Sequence, residues 1–385
     1  MGMHAYRIVI TGETSRFDEL LIEALRKAFE PFGLKLDDEV KLDIGPYRAS
    51  TAPGEARLVL FFGSVEAKAK GRLTLSPTEL VIPVVSDLNS CSAELPPEIS
   101  EFNALAYTGE SQQQAESLSS SVLETLGIIP SRRRIFLSYR RVEAKEAALQ
   151  LHDALRARQF AVFLDTHEIG FGDKFQDVLW HNLSDSDVLL MLDTKGYFMS
   201  RWTEEEFGRA GSMRLGILRV AFPGVSQVPV TTLTQTIDLD ATDLKSDGRL
   251  EDAAVDRIGD TLEAFRAKSV AARLDNMLGT LRLAVEKHGG SISNPGVYKR
   301  VEVSFANREG TGGTHIAVYP AVGVPTSEAV ERISKHAAGE CALLYDGQSL
   351  LQSWIDHLDW FEGGIDRFRW IRADNPYPVL KDLNP

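Results

Sequence analysis

The chain has 385 residues, 43% of them hydrophobic and 25% charged, a composition that can fill the cores of about two to four globular domains. Its net charge of −13 argues against a general binder of nucleic acid or of an anionic membrane, because the field of the molecule repels phosphate groups. The sequence has only two cysteines, no signal-peptide pattern and no run of about 18 apolar residues, which predicts a soluble cytoplasmic protein.

The first block, residues 1–107, alternates apolar runs with an amphipathic segment. The runs at 6–12, 57–63 and 79–86 predict buried strands, since strands covered on both faces of a sheet are almost wholly apolar. The segment that follows the first run has apolar residues at helical spacing. We therefore expect an α/β domain with a parallel sheet. Residues 108–131 begin with a polar stretch and predict a linker that runs into a helix.

The second block, residues 132–243, repeats this alternation of strands and helices. Strands are predicted at 135–137, at 161–165 and in the apolar runs VLLMLD and GILRVA, with a helical pattern between each pair. A loop with glycines at positions 170 and 172 follows the second strand. This block is again predicted to be a parallel α/β unit.

The third block, residues 252–385, begins with a long helical pattern over about 252–288. Strands and helices then alternate, so we expect a third α/β domain. Its sequence indicates no particular family, and we expect it to act as a sensor or as a partner-binding module.

The familiar cofactor and metal motifs are absent from the sequence. It contains no GxGxxG after a strand, no phosphate-binding GxxxxGK[ST] and no HExxH, and its eight histidines show no ligand spacing. We therefore predict neither a bound metal nor a resident cofactor.

Polar residues of the second block fall where parallel strands end, which is where α/β sheets bind ligands. Arg140 follows the first strand and Asp165 ends the second. Trp202 and Glu206 are four residues apart and would share one face of a helix. Each feature also has a structural interpretation: a solvated arginine, a carboxylate capping a turn, a core tryptophan, and Glu206 as one of several glutamates that complement a helix dipole.

Taken together, these residues resemble a TIR (Toll/interleukin-1 receptor) domain. FLSYRR at 136–141 is similar to the first box of the family, and VFLD with the following IGFGDKF loop is similar to its second strand and mobile loop. Ser200, Trp202 and Glu206 form the SxWxxxE motif of enzymatic TIR domains from bacteria, plants and animals. The resemblance covers 132–243 and implies a flavodoxin-like parallel sheet.

The resemblance also implies a reaction, cleavage of the nicotinamide–ribose bond of NAD⁺ to nicotinamide and ADP-ribose or a cyclic isomer. It assigns the catalytic role to Glu206, beside the developing sugar cation, with Glu205 as the adjacent alternative. The residues that it places around the nucleotide are Tyr139, Arg140, Asp165, Lys174, Phe175, Ser200 and Trp202. The loop before Phe175 is one residue longer than the family pattern.

The resemblance further implies NAD⁺ as the substrate with no additional cofactor, a homo-oligomer formed through TIR–TIR contacts, and an activating protein or nucleotide trigger in antiphage defence. The alternative is a TIR scaffold that assembles proteins without catalysis. The first block has a similar order of elements but lacks SYRR, VFLD and WxxxE. Two interpretations of it stay open: a degenerate TIR-like domain, or an α/β domain of another origin.

Overall fold

The computed structural model describes residues 6–48, 56–69, 73–75, 79–164, 175–199, 201–232, 234–306, 313–337, 339–348, 350–365 and 367–383. The strands are β1 (Tyr6–Gly12), β2 (Val40–Ile44), β3 (Ala56–Phe62), β4 (Leu80–Val85), β5 (Leu105–Ala106), β6 (Arg134–Tyr139), β7 (Ala161–Leu164), β8 (Val188–Asp193), β9 (Gly216–Ala221), β10 (Gln235–Asp238), β11 (Ser291–Ile292), β12 (Val301–Ala306), β13 (Gly313–Ala321), β14 (Cys341–Tyr345) and β15 (Phe368–Arg372). The helices are α1 (Glu19–Phe29), α2 (Val65–Ala69), α3 (Cys91–Glu94), α4 (Gln112–Thr125), α5 (Arg141–Ala157), α6 (Phe175–Asp185), α7 (Arg201–Ser212), α8 (Asp252–Lys287), α9 (Ser327–His336), α10 (Gln352–Glu362) and α11 (Tyr377–Leu383). The chain divides into two compact units, residues 1–131 with 296–298, and the remainder.

The first unit is built on a parallel five-stranded sheet in the order β2-β1-β3-β4-β5. Helix α1 begins after Asp18, whose carboxylate accepts a hydrogen bond from the Leu21 N–H at 3.0 Å. Its apolar residues are buried at helical spacing, and α1 packs against α4. The first block is therefore an α/β unit with a parallel sheet, as its apolar runs predicted.

The second unit begins with another parallel sheet, in the order β10-β9-β8-β6-β7. In chain order this is 2-1-3-4-5, the flavodoxin-like arrangement expected for the second block. Helices α5 and α8 cover one face, and α6 and α7 cover the other. The sheet of the first unit has the same strand order, but unrelated proteins share it, so both interpretations of the first block stay open.

Helix α8 contributes to two hydrophobic cores of the second unit. It has 36 residues, about 54 Å at the rise of an α-helix. Ala254, Ile258 and Leu262 in its first half lie in the core of the second sheet, while Leu281 and Val285 in its last turns lie in the core of the third. The predicted long helix at about 252–288 is confirmed.

The middle of α8 carries two buried arginines that bind the last turn of α6 and the two residues between α6 and β8. Arg266 forms an ion pair with Asp187, with Nε and Oδ2 2.6 Å apart and both side chains at most 3% exposed. Arg273 donates to the carbonyl oxygens of Ser184 and Ser186 at 3.0 and 2.7 Å. Buried charges persist only when they are paired in this way, so α8 is held on the second sheet in one orientation.

The third sheet has the order β11-β12-β13-β14-β15 and is mixed. β11, β12 and β13 pair antiparallel, whereas β13, β14 and β15 pair parallel. The third block is thus α/β as expected, with an antiparallel edge that its apolar pattern did not indicate. Over the described part of the chain, no helix is long and apolar enough to cross a membrane.

Candidate functional site

The candidate site lies at the carboxyl ends of β6 and β8. In the 2-1-3-4-5 order these neighbouring strands lead to helices on opposite faces of the sheet, which opens a crevice between their ends. β6 ends with Ser138 and Tyr139, directly before Arg140, and β8 ends at Asp193. The polar residues that the sequence placed after the first strand therefore lie where this fold binds ligands.

Glu206 on α7 is joined to this edge by a hydrogen bond. Its side chain is only 1% exposed, and one carboxylate oxygen accepts a hydrogen bond from the hydroxyl group of Ser138. The Ser138 Oγ also lies 2.7 Å from the hydroxyl of Tyr197. A serine hydroxyl has one proton, and that of Ser138 is used in the hydrogen bond to Glu206. Tyr197 must therefore be the donor to Ser138. The three side chains therefore form a directed chain of hydrogen bonds that ends on the carboxylate.

Tyr197 stays protonated in this arrangement. It is fully buried in the short 3₁₀ turn Tyr197–Met199 between β8 and α7. Burial, reinforced by the nearby Glu206, raises the pKa of the Tyr197 phenol well above its usual value of about 10. A protonated phenol can donate to Ser138 throughout the physiological range.

A second polar cluster connects the ends of the same two strands. The Glu143 carboxylate accepts from Arg140 through Oε1 at 2.6 Å and from the Gly196 N–H through Oε2 at 3.0 Å. The pKa of the Glu143 carboxyl lies below its usual value, chiefly because of the Thr194 hydroxyl beside it, with Gly196 and Arg140 adding to the effect. Glu143 therefore remains a carboxylate at neutral pH and holds the loop after β8 against the start of α5.

An ion pair supports the end of β8 from within. Arg219 on β9 donates from Nε to Asp193 Oδ2 at 2.6 Å, and each side chain is only 2% exposed. Burial raises the pKa of the Asp193 carboxyl, and the neighbouring Arg219 charge opposes that shift. This pair links β8 and β9 beneath the loop that carries Thr194 and Gly196.

Glu205 lies apart from this arrangement although it neighbours Glu206 in sequence. It lines an open cleft of about 710 Å³ together with Trp180, Gly208, Arg209, Ser212 and Gln348. The guanidinium of Arg209 stacks over the Trp180 ring at 4.4 Å. The two consecutive glutamates thus face different surroundings, as expected for neighbours about 100° apart on a helix.

The structure brings together some of the predicted site residues. Arg140 and Glu206 both lie at the β6–β8 edge, each in one of the two clusters above. Tyr139 is 6% exposed and packs in the core under α5 and α8, on the sheet face opposite Phe136, because consecutive strand residues alternate between faces. Its predicted contact with a nucleotide stays a prediction.

The other predicted positions cannot be located around the site. Asp165, Lys174 and Ser200 lie outside the described residues. Phe175 begins α6 and Trp202 lies in the first turn of α7, but their side chains are outside what is described. Their roles stay predictions.

Three side chains at this edge were not predicted as site residues, namely Ser138, Glu143 and Tyr197. Ser138 lay within the FLSYRR motif, so a signal was available for it. Glu143 lies three residues after Arg140, a spacing that permits a local ion pair, but its contact with Gly196 joins positions 53 residues apart. Tyr197 carries no local signal, since Ser138 lies 59 residues away along the chain.

The Glu206 carboxylate is shielded from solvent in this arrangement, so contact with a substrate requires a rearrangement around it. Among the described residues, no group of three or more His, Cys, Asp or Glu side chains could hold a metal ion. In comparisons with known proteins, a family model described as TIR domain matches residues 135–258, about a third of the chain. No curated protein matches the chain significantly.

Proposed function

Residues 135–258 form a TIR domain, and on that premise we propose that the chain is an NAD⁺ glycohydrolase with Glu206 as its catalytic residue. The observation that carries the proposal is the position of the Glu206 carboxylate. It is bound to Ser138 at the end of β6, two residues before Arg140, at the edge where this fold binds ligands.

The reaction breaks the bond between ribose C1′ and the nicotinamide nitrogen. The bonding electron pair leaves with the nitrogen, which neutralises the pyridinium, and C1′ gains oxocarbenium character. A carboxylate beside C1′ stabilises that charge, as carboxylates do in glycoside cleavage. Water then adds to C1′ and loses a proton to give ADP-ribose, whereas addition of another atom of the same molecule gives a cyclic isomer.

Ser138 and Tyr197 would serve this role by holding the carboxylate in place. Their two hydrogen bonds run toward Glu206, so one of its carboxylate oxygens has a fixed direction. An oriented charge stabilises a developing cation without reorganising during the reaction. The burial of Glu206 means that the site must open before NAD⁺ reaches it, which fits an enzyme that awaits a trigger.

The test is incubation of the purified full chain with NAD⁺ and separation of the products by chromatography. We expect nicotinamide and ADP-ribose or its isomer from the wild type when it is concentrated or crowded, the conditions that favour the proposed assembly. Glu206→Gln keeps the size and loses the charge, so turnover should fall about 10²- to 10⁴-fold. Glu205→Gln is the matched variant: loss of turnover there, with Glu206→Gln active, would move the assignment to Glu205.

The second candidate function is a non-catalytic TIR scaffold, and the burial of Glu206 favours it. A carboxylate that is 1% exposed and bound to Ser138 can serve to tie α7 to β6. In that case the wild type would release no nicotinamide when concentrated or crowded, and Glu206→Gln would change only the thermal stability.

The cellular setting of the proposal follows from the resemblance of the second block. We propose cytoplasmic antiphage defence, in which assembly through TIR–TIR contacts and a protein or nucleotide trigger switch NAD⁺ cleavage on. The third sheet is a reasonable place for the trigger to act, because α8 joins its core to that of the TIR sheet.

A further inference from the structure

We propose that Glu143 and Gly196 together position Arg140 for the diphosphate of the substrate. This inference rests on the proposed function and deepens it. It names a positioning residue, Glu143, and a close backbone approach at Gly196 that the sequence motifs do not contain.

The Glu143 carboxylate uses both of its oxygens to join two loops. Oε1 accepts a hydrogen bond from Nη1 of Arg140 at 2.6 Å, and Oε2 accepts one from the Gly196 N–H at 3.0 Å. Arg140 follows β6 and Gly196 follows β8, so the carboxylate spans the crevice at the carboxyl edge of the sheet. Because Glu143 stays ionised at neutral pH, this connection persists under assay conditions.

The position of the Arg140 guanidinium requires a glycine at position 196. A Cβ atom built on Gly196 would overlap Nη1 of Arg140 and would lie 2.6 Å from Oε1 of Glu143. The Arg140 side chain therefore lies directly against the backbone of the loop, with Glu143 beside it. Any larger residue at position 196 would force the flexible Arg140 side chain out of this position.

Arg140 keeps donors that an anion can use. A guanidinium has five N–H donors, and within the described residues the contact to Glu143 involves only Nη1. The side chain is 30% exposed, so part of it is open to solvent and to a ligand. Arginine binds phosphate oxygens through a pair of parallel N–H groups, and a guanidinium that is already held loses less rotational freedom on binding.

The experiment measures ADP binding by titration calorimetry and NAD⁺ cleavage by steady-state kinetics, both on the full chain. Glu143→Ala and Gly196→Ala should each weaken ADP binding and raise KM about 3- to 10-fold, with kcat changed less than about twofold, because Glu206 and its partners are untouched. Glu143→Gln keeps an acceptor and should have a smaller effect. Circular dichroism confirms that each variant is folded.

Two controls separate positioning from a general change in charge. Glu146→Ala removes the same charge from an exposed place one turn further along α5, and it should leave ADP affinity and KM unchanged. When Arg140→Ala is already present, Glu143→Ala should have no further effect on ADP affinity. The effects of two substitutions are not additive when one residue acts through the other.

The inference is overturned if Glu143→Ala leaves ADP binding unchanged or stronger, if it weakens binding equally without Arg140, or if the wild type does not bind ADP. A wild type that binds ADP with the expected variant pattern but cleaves no NAD⁺ refutes the hydrolase alone. A wild type that cleaves NAD⁺ while Glu143→Ala behaves like the wild type refutes the positioning role alone.

Discussion

Replacing Arg266 with methionine should strongly destabilise the second unit. Methionine fills a similar volume but leaves the Asp187 carboxylate, 3% exposed, without its cationic partner. Breaking a buried ion pair by removing one member costs about 3–5 kcal/mol, because the remaining charge stays buried. The second unit has about 250 residues, for which the entropy of unfolding is about 0.5 kcal/mol per kelvin. The expected fall in Tm is therefore about 6–10 °C.

The assay is scanning calorimetry of the full chain, with the transition of the second unit followed in each variant. The matched control is the double variant Arg266→Met/Asp187→Asn, in which no buried charge is left behind. It should recover about half or more of the lost stability, since an uncharged pair does not carry the penalty of a lone buried charge. A fall of less than about 2 °C in Arg266→Met, or strictly additive effects in the double variant, would refute the reasoning.

Three further predictions concern the site and the sheets. Ser138→Ala removes the donor to Glu206 and the acceptor of Tyr197, so urea titration should show a fall in the free energy of unfolding of about 2–3 kcal/mol. Tyr197→Phe should lower it by about 1 kcal/mol, and equal losses in the two variants would contradict the directed hydrogen bonds. Burial raises the pKa of Tyr345 to about 12, above the value of about 10 for an exposed tyrosine. The free energy of unfolding should therefore stay constant up to about pH 10 and decline as the pH rises through about 12, and Tyr345→Phe should reduce this decline. If assembly activates the enzyme, its specific activity should rise over a hundredfold range of protein concentration, while light scattering follows the particle size. A constant specific activity from a protein that stays monomeric would contradict activation by assembly.

Local sequence predicted most of the secondary structure that frames the site. The run VLLMLD reads as a buried strand because both faces of a central parallel strand are covered, and all six residues of β8 are buried. The 36-residue α8 was equally visible from its helical pattern. The motifs were sufficient to predict a TIR domain because each is a short local run: FLSYRR and VFLD include the ends of strands, and Trp202 and Glu206 lie four residues apart on one helix.

Contacts between distant segments could not be read in the same way. The sequence places Arg140 after β6 and Glu143 three residues later, but their position against the backbone at Gly196 joins segments 53 residues apart, which no local pattern connects. Likewise, Trp202 and Glu206 fit a shared helix face, yet the burial of Glu206 under Ser138 and Tyr197 depends on how α7 packs on the sheet.

The sequence by itself determined which segments form strands and helices, that three α/β blocks follow one another, and that the second carries the TIR motifs. These properties depend on side-chain periodicity over a few residues, which is a local quantity. Only the tertiary structure decided the mixed pairing of the third sheet and the hydrogen bonds that join Glu206 to Ser138 and Glu143 to Gly196. The physical reason is that strand pairing and burial bring together residues that are not neighbours along the chain, such as Ser138 and Glu206, 68 positions apart, and the geometry of such contacts is set by the packed fold as a whole.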